Sequence, residues 1–304
     1  MSLGIPYMGS KRKLANDILH FITSRHNNID TFYDLFGGGG SISFTAIRDY
    51  RFKVHYNELN KHIYSLVEYL KNNKELEPKF FEWVTREEFF NQIKKSNEDA
   101  DWFSGFVMSC WSFGNSQSSY LYGSDIENLK RLAHEFIVNK DLNAMREIGV
   151  DIPELCNING VQKRRVLFCK HIEEVTKNRF YVQNLEKLSL LESLARLQNL
   201  QNLQISNQSY EKVIINPNEN AVIYCDIPYR GTGEYKEGGF NHDEFYEWFA
   251  NLDYPAYLSE YNAPFEQVHA FKHRSSLSAT NNKKQVVEKI FFNGKGKVNI
   301  NTLF

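Results

Sequence analysis

The sequence is poor in cysteine and has no paired cysteine motif. Its four cysteines, Cys110, Cys156, Cys169 and Cys225, form no C-x-x-C pair, which excludes a zinc ribbon or a dithiol redox motif. They read as reduced thiols of an intracellular protein. Net charge is equally scarce: 36 Lys and Arg against 37 Asp and Glu leave −1. Bulk charge therefore offers nothing to nucleic acid, and any such surface has to be a local patch. No apolar run approaches a membrane span, and residues 1–6 lack a signal-peptide core. His269 and His273 lie four apart, but no third ligand accompanies them, so no metal is expected. What the chain does have is apolar bulk, 42% hydrophobic and 14% aromatic over 304 residues. That suffices for one large domain, or a core with a sizeable insertion.

The most informative stretch is residues 221–229, Ala-Val-Ile-Tyr-Cys-Asp-Ile-Pro-Tyr. It opens as a short β-branched and aromatic run, the pattern of a buried strand. It closes on Asp226, Ile227, Pro228 and Tyr229. In open α/β sheets ligands bind beyond the carboxyl ends of strands, so an acid there marks the mouth of a site. Asp226 offers acceptors and Tyr229 a flat face, a pairing that suits an amino-substituted heterocycle. A strand ending in an ordinary Asp-Pro turn is the plain alternative.

A second strand-to-turn unit lies upstream. Residues 31–34 form a short apolar run ending in Asp34; Leu35, Phe36 and the glycines Gly37, Gly38, Gly39 and Gly40 follow, then a helical pattern with Ile42, Ala46 and Ile47. Strand, glycine turn and helix open a nucleotide-binding crossover. Neither a P-loop Lys nor G-x-G-x-x-G is present, so a dinucleotide is not the first choice. The next strand, residues 52–56, leads to Glu58, roughly 20 residues past the glycines, where an acid takes ribose hydroxyls in such folds. At the N-terminus, Tyr7-Met8-Gly9-Ser10-Lys11 precedes the helical positions Leu14, Ile18, Leu19 and Ile22. Gly9-Ser10 reads as a helix start, which with Lys11 would make an anion site.

Residues 72–180 change character, with helical segments and the aromatics Trp83, Phe89, Phe90, Trp102, Phe103, Phe106, Trp111 and Phe113, mostly core of a subdomain. Residues 114–123, including Asn115, Gln117, Ser118, Tyr120 and Tyr122, are too polar for core. They read equally as a surface loop or as a reader of bases. Lys163, Arg164 and Arg165 are a local basic run, a solvated face or a phosphate contact. Seven leucines follow at a spacing of three, from Leu185 to Leu203. A 3.6-residue helix cannot keep one seam at that period, so a short helix giving way to other packing is expected. Residues 230–239 form a glycine-rich lid candidate, and residues 256–261 and 286–292 two further strands. Lys272, His273, Arg274, Lys283, Lys284, Lys295 and Lys297 make the C-terminal part basic.

Together these motifs resemble the Dam-type DNA adenine-N6 methyltransferases over nearly the whole chain. Residues 226–229 correspond to the family's Asp-Pro-Pro-Tyr, residues 34–40 to its Asp-x-Phe-x-Gly-x-Gly, residues 7–11 to its N-terminal cofactor motif and residues 57–60 to its acidic motif. The leucine repeat looks like an insertion, and the overall texture resembles bacteriophage and prophage members. The resemblance implies an α/β, Rossmann-like S-adenosylmethionine (SAM)-dependent methyltransferase sheet. Residues 1–71 and 181–304 would form the catalytic domain and 72–180 an inserted, mostly helical target-recognition domain. It implies double-stranded DNA as partner, a bacterial cytoplasmic setting tied to restriction-modification or phage biology, no membrane and no obligatory protein partner.

The resemblance also implies roles. Asp34, Phe36, Gly37 and Gly39 would contact SAM and Glu58 would take its ribose hydroxyls. Tyr7 and Lys11, with Gly9 and Ser10, would hold its methionine end; Ser209 and Tyr210 would border its adenine. Asp226 and the Ile227 carbonyl would accept the target amine's hydrogens, with Pro228 stiffening the loop, Tyr229 stacking on the flipped base and Asp226 also bordering SAM. Asn115, Gln117, Ser118, Tyr120, Tyr122, Lys163, Arg164 and Arg165 would meet DNA. Ile227 departs from the family's proline, which removes stiffness but not the carbonyl. An inactive DNA-binding homologue, or a methyltransferase acting on RNA or a protein glutamine, is the competing reading.

Overall fold

The computed structural model describes residues 3–230, 239–274 and 285–296. Seven strands form one sheet: β1 (Thr31–Asp34), β2 (Lys53–Asn57), β3 (Leu203–Ser206), β4 (Ala221–Asp226), β5 (Ala256–Glu260), β6 (Glu266–Arg274) and β7 (Gln285–Phe292). Their order is β3-β2-β1-β4-β5-β7-β6. Strands β1 to β5 run parallel, and β7 lies antiparallel between β5 and β6. This is the α/β, Rossmann-like sheet that the resemblance implies. The central strands are buried on both faces, which is why their sequences run apolar instead of alternating.

Side chains alternate between the sheet's two faces, and each face has its own core. On one, Phe32, Val54, Tyr56, Val222, Tyr224 and Tyr257 pack against helices α1 (Ala15–Ser24), α2 (Ser41–Thr45) and α3 (Lys61–Asn72). On the other, Tyr33, Leu35, Ile223, Cys225 and Leu258 pack against Phe245 and Phe249, which lie on a later helix, residues 242–251. The apolar positions of α1 are those the periodicity marks, Ile18, Leu19 and Ile22, all buried. Its start is not. The helix begins at Ala15, and residues 7–14 are loop and turn, so Gly9-Ser10 makes no helical anion site. Asn60 starts α3 as an N-cap, its side chain accepting from His62 N and Ile63 N.

Between β2 and β3 the chain supplies α4 (Arg86–Ile93), α5 (Trp102–Cys110), α6 (Glu127–Asn139), α7 (Leu142–Glu147), α8 (Val161–Thr176) and α9 (Gln183–Ala195). Polar caps set several starts: Thr85 for α4, an Asp101–Ser104 capping box for α5 and Asp141 for α7. The helix after β4 becomes α10 (His242–Asn251), capped by Asn241. The aromatic residues of this region interlock, with Trp83 stacked on Tyr122 and edge-on to Trp111.

The leucine repeat divides as its period requires. Leu185, Leu188, Leu191 and Leu194 are buried on α9; the helix then stops, Leu200 opens a 3-10 turn and Leu203 opens β3. The repeat is thus the helix-strand unit delivering an edge strand of the sheet, not an insertion. Strands β3 and β6 escape the sequence reading: β3 is short and polar at its end, and β6 carries His269, Lys272, His273 and Arg274. His269 stacks on Phe21, with ring centres 4.5 Å apart.

Candidate active site

The order of the sheet reverses between β1 and β4, each a parallel neighbour of the other. A crevice opens at such a switch point, beyond the carboxyl ends of the strands. Asp34 ends β1 and Asp226 ends β4, so the two acids flank it. The glycine turn after Asp34 is held under the N-terminal segment. Ile5 N donates to Gly39 O at 2.7 Å, and Tyr56 Oη donates to Gly38 O at 2.7 Å. A Cβ at Gly37 would lie 2.1 Å from the Tyr56 ring, and one at Gly39 would lie 2.6 Å from Ile5 O. Both glycines are therefore required by close approach of backbone and ring. Tyr7 lies across the same turn, its ring 3.0 Å from where a Gly38 Cβ would be.

Glu58 is buried, and its carboxylate braces the turn, accepting from Gly38 N at 2.7 Å and from Asn60 N at 2.8 Å. Asp34 is buried as well and accepts from Ser43 Oγ at 2.7 Å. Burial pushes its carboxyl up to about 7, against the hydrogen bonds from Ser43 and with the help of the nearby Asp226 charge.

Asp226 is one-fifth exposed and at the centre of a polar knot. Its Oδ1 takes the Lys11 ammonium at 2.7 Å and the Tyr229 hydroxyl at 3.3 Å. Burial raises its carboxyl to about 6; Lys11 opposes the shift and the neighbouring carboxylate of Glu288 adds to it. Glu288, on β7 and only 3% exposed, accepts from the Tyr229 hydroxyl and lies 3.5 Å from Lys11 Nζ. Lys11 also sits over the Tyr229 ring, 4.8 Å from its centre. Tyr261 meets the same ring edge-on at 4.7 Å. Glu288 is the residue the sequence reading missed. The signal was present, because an acid inside the apolar run 286–292 is the same anomaly that exposed Asp226.

The loop after β4 is fastened from three sides. Ile227 is buried with Leu35 and Phe245, so its side chain belongs to the core. His242 Nε2 donates to Pro228 O at 2.8 Å, and Arg230 N donates to Glu260 Oε2 at 3.2 Å. The lid candidate continues into residues 231–238, outside the described residues. On the opposite side of the glycine turn, Phe36 contacts Tyr210, Phe240 and Phe245 at 5.4–5.8 Å. Ser209 hydrogen-bonds Glu211 just before Tyr210. Gly9 takes φ +74° in open space, and the Ser10 hydroxyl is buried without a hydrogen-bond partner among the described residues.

The residues read as DNA-facing split into two groups. Asn115, Gln117 and Ser118 lie in a loop closed by a bridge between Ser112 and Tyr120, with Asn115 and Gln117 in left-handed backbone. Lys163 is exposed and Arg165 half-buried on α8. Tyr120 and Tyr122 correct the expectation: both are buried, Tyr120 donating to Val84 O and Tyr122 to Asn184 Oδ1, each at 2.7 Å. Arg164 corrects it too. It is 4% exposed, and its guanidinium donates to Ile137 O, Ile158 O and Val138 O at 2.7, 2.7 and 3.2 Å. Two of those carbonyls end α6, where helical acceptors lack intrahelical partners. Phe113, grouped with the core aromatics from sequence, is 64% exposed beside the polar loop. Of the basic C-terminal residues, Lys272 and Lys295 are exposed, and Lys283, Lys284 and Lys297 lie outside the described residues. Among the described residues no group of acids, histidines or cysteines could hold a metal. Nor, among them, is any helix long and apolar enough to cross a membrane.

The sequence profile of the D12 class N6 adenine-specific DNA methyltransferases matches residues 7–291. The modification methylase StsI of Streptococcus sanguinis is 24% identical over 281 residues, covering 90% of this chain. The chain spans only 36% of that protein's length. Among solved structures, the rRNA methyltransferase aviRa of Streptomyces viridochromogenes aligns over 96% of this chain and 88% of its own, at 12% identity and a TM-score of 0.37. A second structure of it aligns over 93% and 85%, at 11% and 0.36.

Proposed function

Because the chain belongs to the D12 class N6 adenine-specific DNA methyltransferase family, we propose that it moves a methyl group from SAM to the N6 amine of an adenine flipped out of duplex DNA. The observation that carries this is Asp226, a one-fifth-exposed carboxylate at the switch point, beside the closely packed glycine turn. The described residues fit SAM. Gly37 and Gly39 let the turn pack closely against Tyr56 and Ile5, Glu58 at its base would take the ribose hydroxyls, and Phe36 with Tyr210 offers an aromatic wall for an adenine. Asp34 and Asp226 suit a cation between them. Tyr7, Gly9, Ser10 and Lys11 would hold the methionine end, with Ser209 bordering the adenine.

SAM, when bound, supplies an electrophilic methyl on a positively charged sulfur. The rest falls to the chain. A base inside the duplex is out of reach and has to leave the stack. The Asp226 carboxylate and the Ile227 carbonyl accept the two amine hydrogens of the extruded adenine. These acceptors draw the delocalised nitrogen lone pair towards a tetrahedral geometry and stabilise the positive charge that grows on it. The Tyr229 ring offers the face against which the base lies, and Pro228 holds the loop in place. Holding both reactants in line supplies much of the remaining acceleration.

In this reading residues 1–71 and 181–304 form the catalytic domain and residues 72–180 read the target. Asn115, Gln117 and Ser118 offer amides and a hydroxyl to base edges. The exposed Phe113 offers an aromatic face to an unstacked base. Lys163 and Arg165 would meet phosphate. A bacterial cytoplasmic setting, tied to restriction-modification or to a phage or prophage, belongs to the same reading.

The test is methyl transfer from labelled SAM to unmethylated plasmid DNA, followed by digestion and separation of the bases. Label on N6-methyladenine is expected. The Asp226→Ala variant should lose transfer while still binding SAM in calorimetry. Undiminished transfer by that variant would remove Asp226 from its role.

A further inference from the structure

The knot at Asp226 holds a conflict. One oxygen of the acceptor assigned to the target amine, Asp226 Oδ1, is already paired with the Lys11 ammonium at 2.7 Å, with the Tyr229 hydroxyl 3.3 Å from it. Lys11 is 92% buried, and a buried ammonium cannot be released without another anion to receive it. Among the described residues, Glu288 is the second anion within reach of Lys11. Its Oε1 lies 3.5 Å from Lys11 Nζ, against 2.7 Å for Asp226 Oδ1, so a short swing of the ammonium exchanges one partner for the other. The same carboxylate already holds the Tyr229 hydroxyl. Glu288 is fixed in the middle of β7, opposite Phe271 on β6, and is 3% exposed. No cation other than Lys11 pairs with it among the described residues.

We propose that Glu288 is a positioning residue for methyl transfer: it receives Lys11 and retains the Tyr229 hydroxyl, freeing Asp226 to accept the target amine. The inference rests on the reaction proposed above. In the resting site, one ammonium bridges two carboxylates. When the adenine amine arrives, Lys11 shifts fully onto Glu288 and its charge stays paired. Without the Glu288 carboxylate, Lys11 has Asp226 alone, and the amine must compete with an ion pair. The groups facing the knot are Tyr224 and Asp226 from β4, Asp34 from β1, and Glu260 from β5 with His242 beside it.

The experiment uses the full chain, plasmid DNA and labelled SAM. In Glu288→Gln, SAM affinity by calorimetry is expected within about threefold of wild type, with kcat reduced about tenfold or more. The acidic limb of kcat/KM should move to lower pH, because a negative charge beside Asp226 has gone. Glu288→Asp keeps the charge with a shorter reach; it should lose about threefold in kcat and keep the wild-type limb. Wild-type kinetics in Glu288→Gln, or equal losses in both variants with no change of limb, would overturn the proposal. Loss of SAM affinity in step with kcat would reduce Glu288 to a structural residue and overturn it as well. If Glu288→Gln does not fold, Glu288→Asp decides: a loss confined to kcat supports the proposal, and wild-type kinetics refutes it. Absence of transfer in the wild-type protein would fault the reaction itself, a separate failure.

Discussion

Arg164 sits in a basic run that reads from sequence as a phosphate contact, yet its guanidinium is enclosed. It donates to three main-chain carbonyls, those of Ile137 and Val138 at the end of α6 and that of Ile158 before α8. A cation there also opposes the negative end of the α6 dipole. Replacing it by methionine keeps most of the stem and removes every donor. Hydrogen bonds from a charged donor contribute about 1.5–3 kcal/mol each. The two at 2.7 Å are near-ideal and the third, at 3.2 Å, is long, so Arg164→Met should cost about 3–5 kcal/mol. For a chain of this size that is a fall in Tm of roughly 5–10 °C. Differential scanning fluorimetry measures it, with Lys163→Met as the exposed control, expected within about 1 °C of wild type. Affinity for plasmid DNA, measured against salt concentration, supplies the other half. Lys163→Met should weaken binding and flatten the salt slope by about one unit. An Arg164→Met protein that melts like wild type but loses DNA affinity would refute the structural assignment and restore the phosphate contact.

Two further expectations concern the site. The Asp226 carboxyl is pushed up to about 6, and it accepts the amine hydrogens best when ionised. Activity as kcat/KM should therefore fall below about pH 6, by roughly tenfold per unit; a profile flat down to pH 4.5 would contradict this. In Gly37→Ala the new methyl would lie 2.1 Å from the ring of Tyr56, which is buried and bonded through its hydroxyl to Gly38. One of the two must shift, at about 1–3 kcal/mol or more. A lower Tm and about tenfold weaker SAM binding in calorimetry are expected, and a neutral outcome would mean the turn is looser than drawn.

Much of the architecture was legible because it rests on local signals. Runs 31–34 and 221–226 announced themselves as buried strands, each ending in an acid that an apolar strand does not otherwise carry, and residues 256–261 as a further strand. Four consecutive glycines marked the turn, and the threefold spacing of leucines foretold a helix that could not continue. What misled the reading was polarity taken for exposure. Tyr120, Tyr122 and Arg164 stand among polar neighbours in sequence, but their polar atoms meet main-chain and side-chain partners from distant segments, which lets them be buried. Phe113 misled in the opposite sense: an aromatic among aromatics, it faces outward because the Ser112–Tyr120 bridge turns the loop over.

By itself the sequence determined the parallel order of motifs, the glycine turn, the acids at strand ends and the family they resemble. Those depend on spacing along one chain, where periodicity and turn chemistry act over a few residues. Tertiary structure alone decided the sheet order, the antiparallel β7 and the meeting of Lys11, Asp226, Tyr229 and Glu288 from three remote segments. No local rule links residue 11 to residue 288. They meet because β7 returns antiparallel to β5 and delivers its buried acid to the carboxyl end of β4, where one ammonium neutralises what two carboxylates could not bury alone.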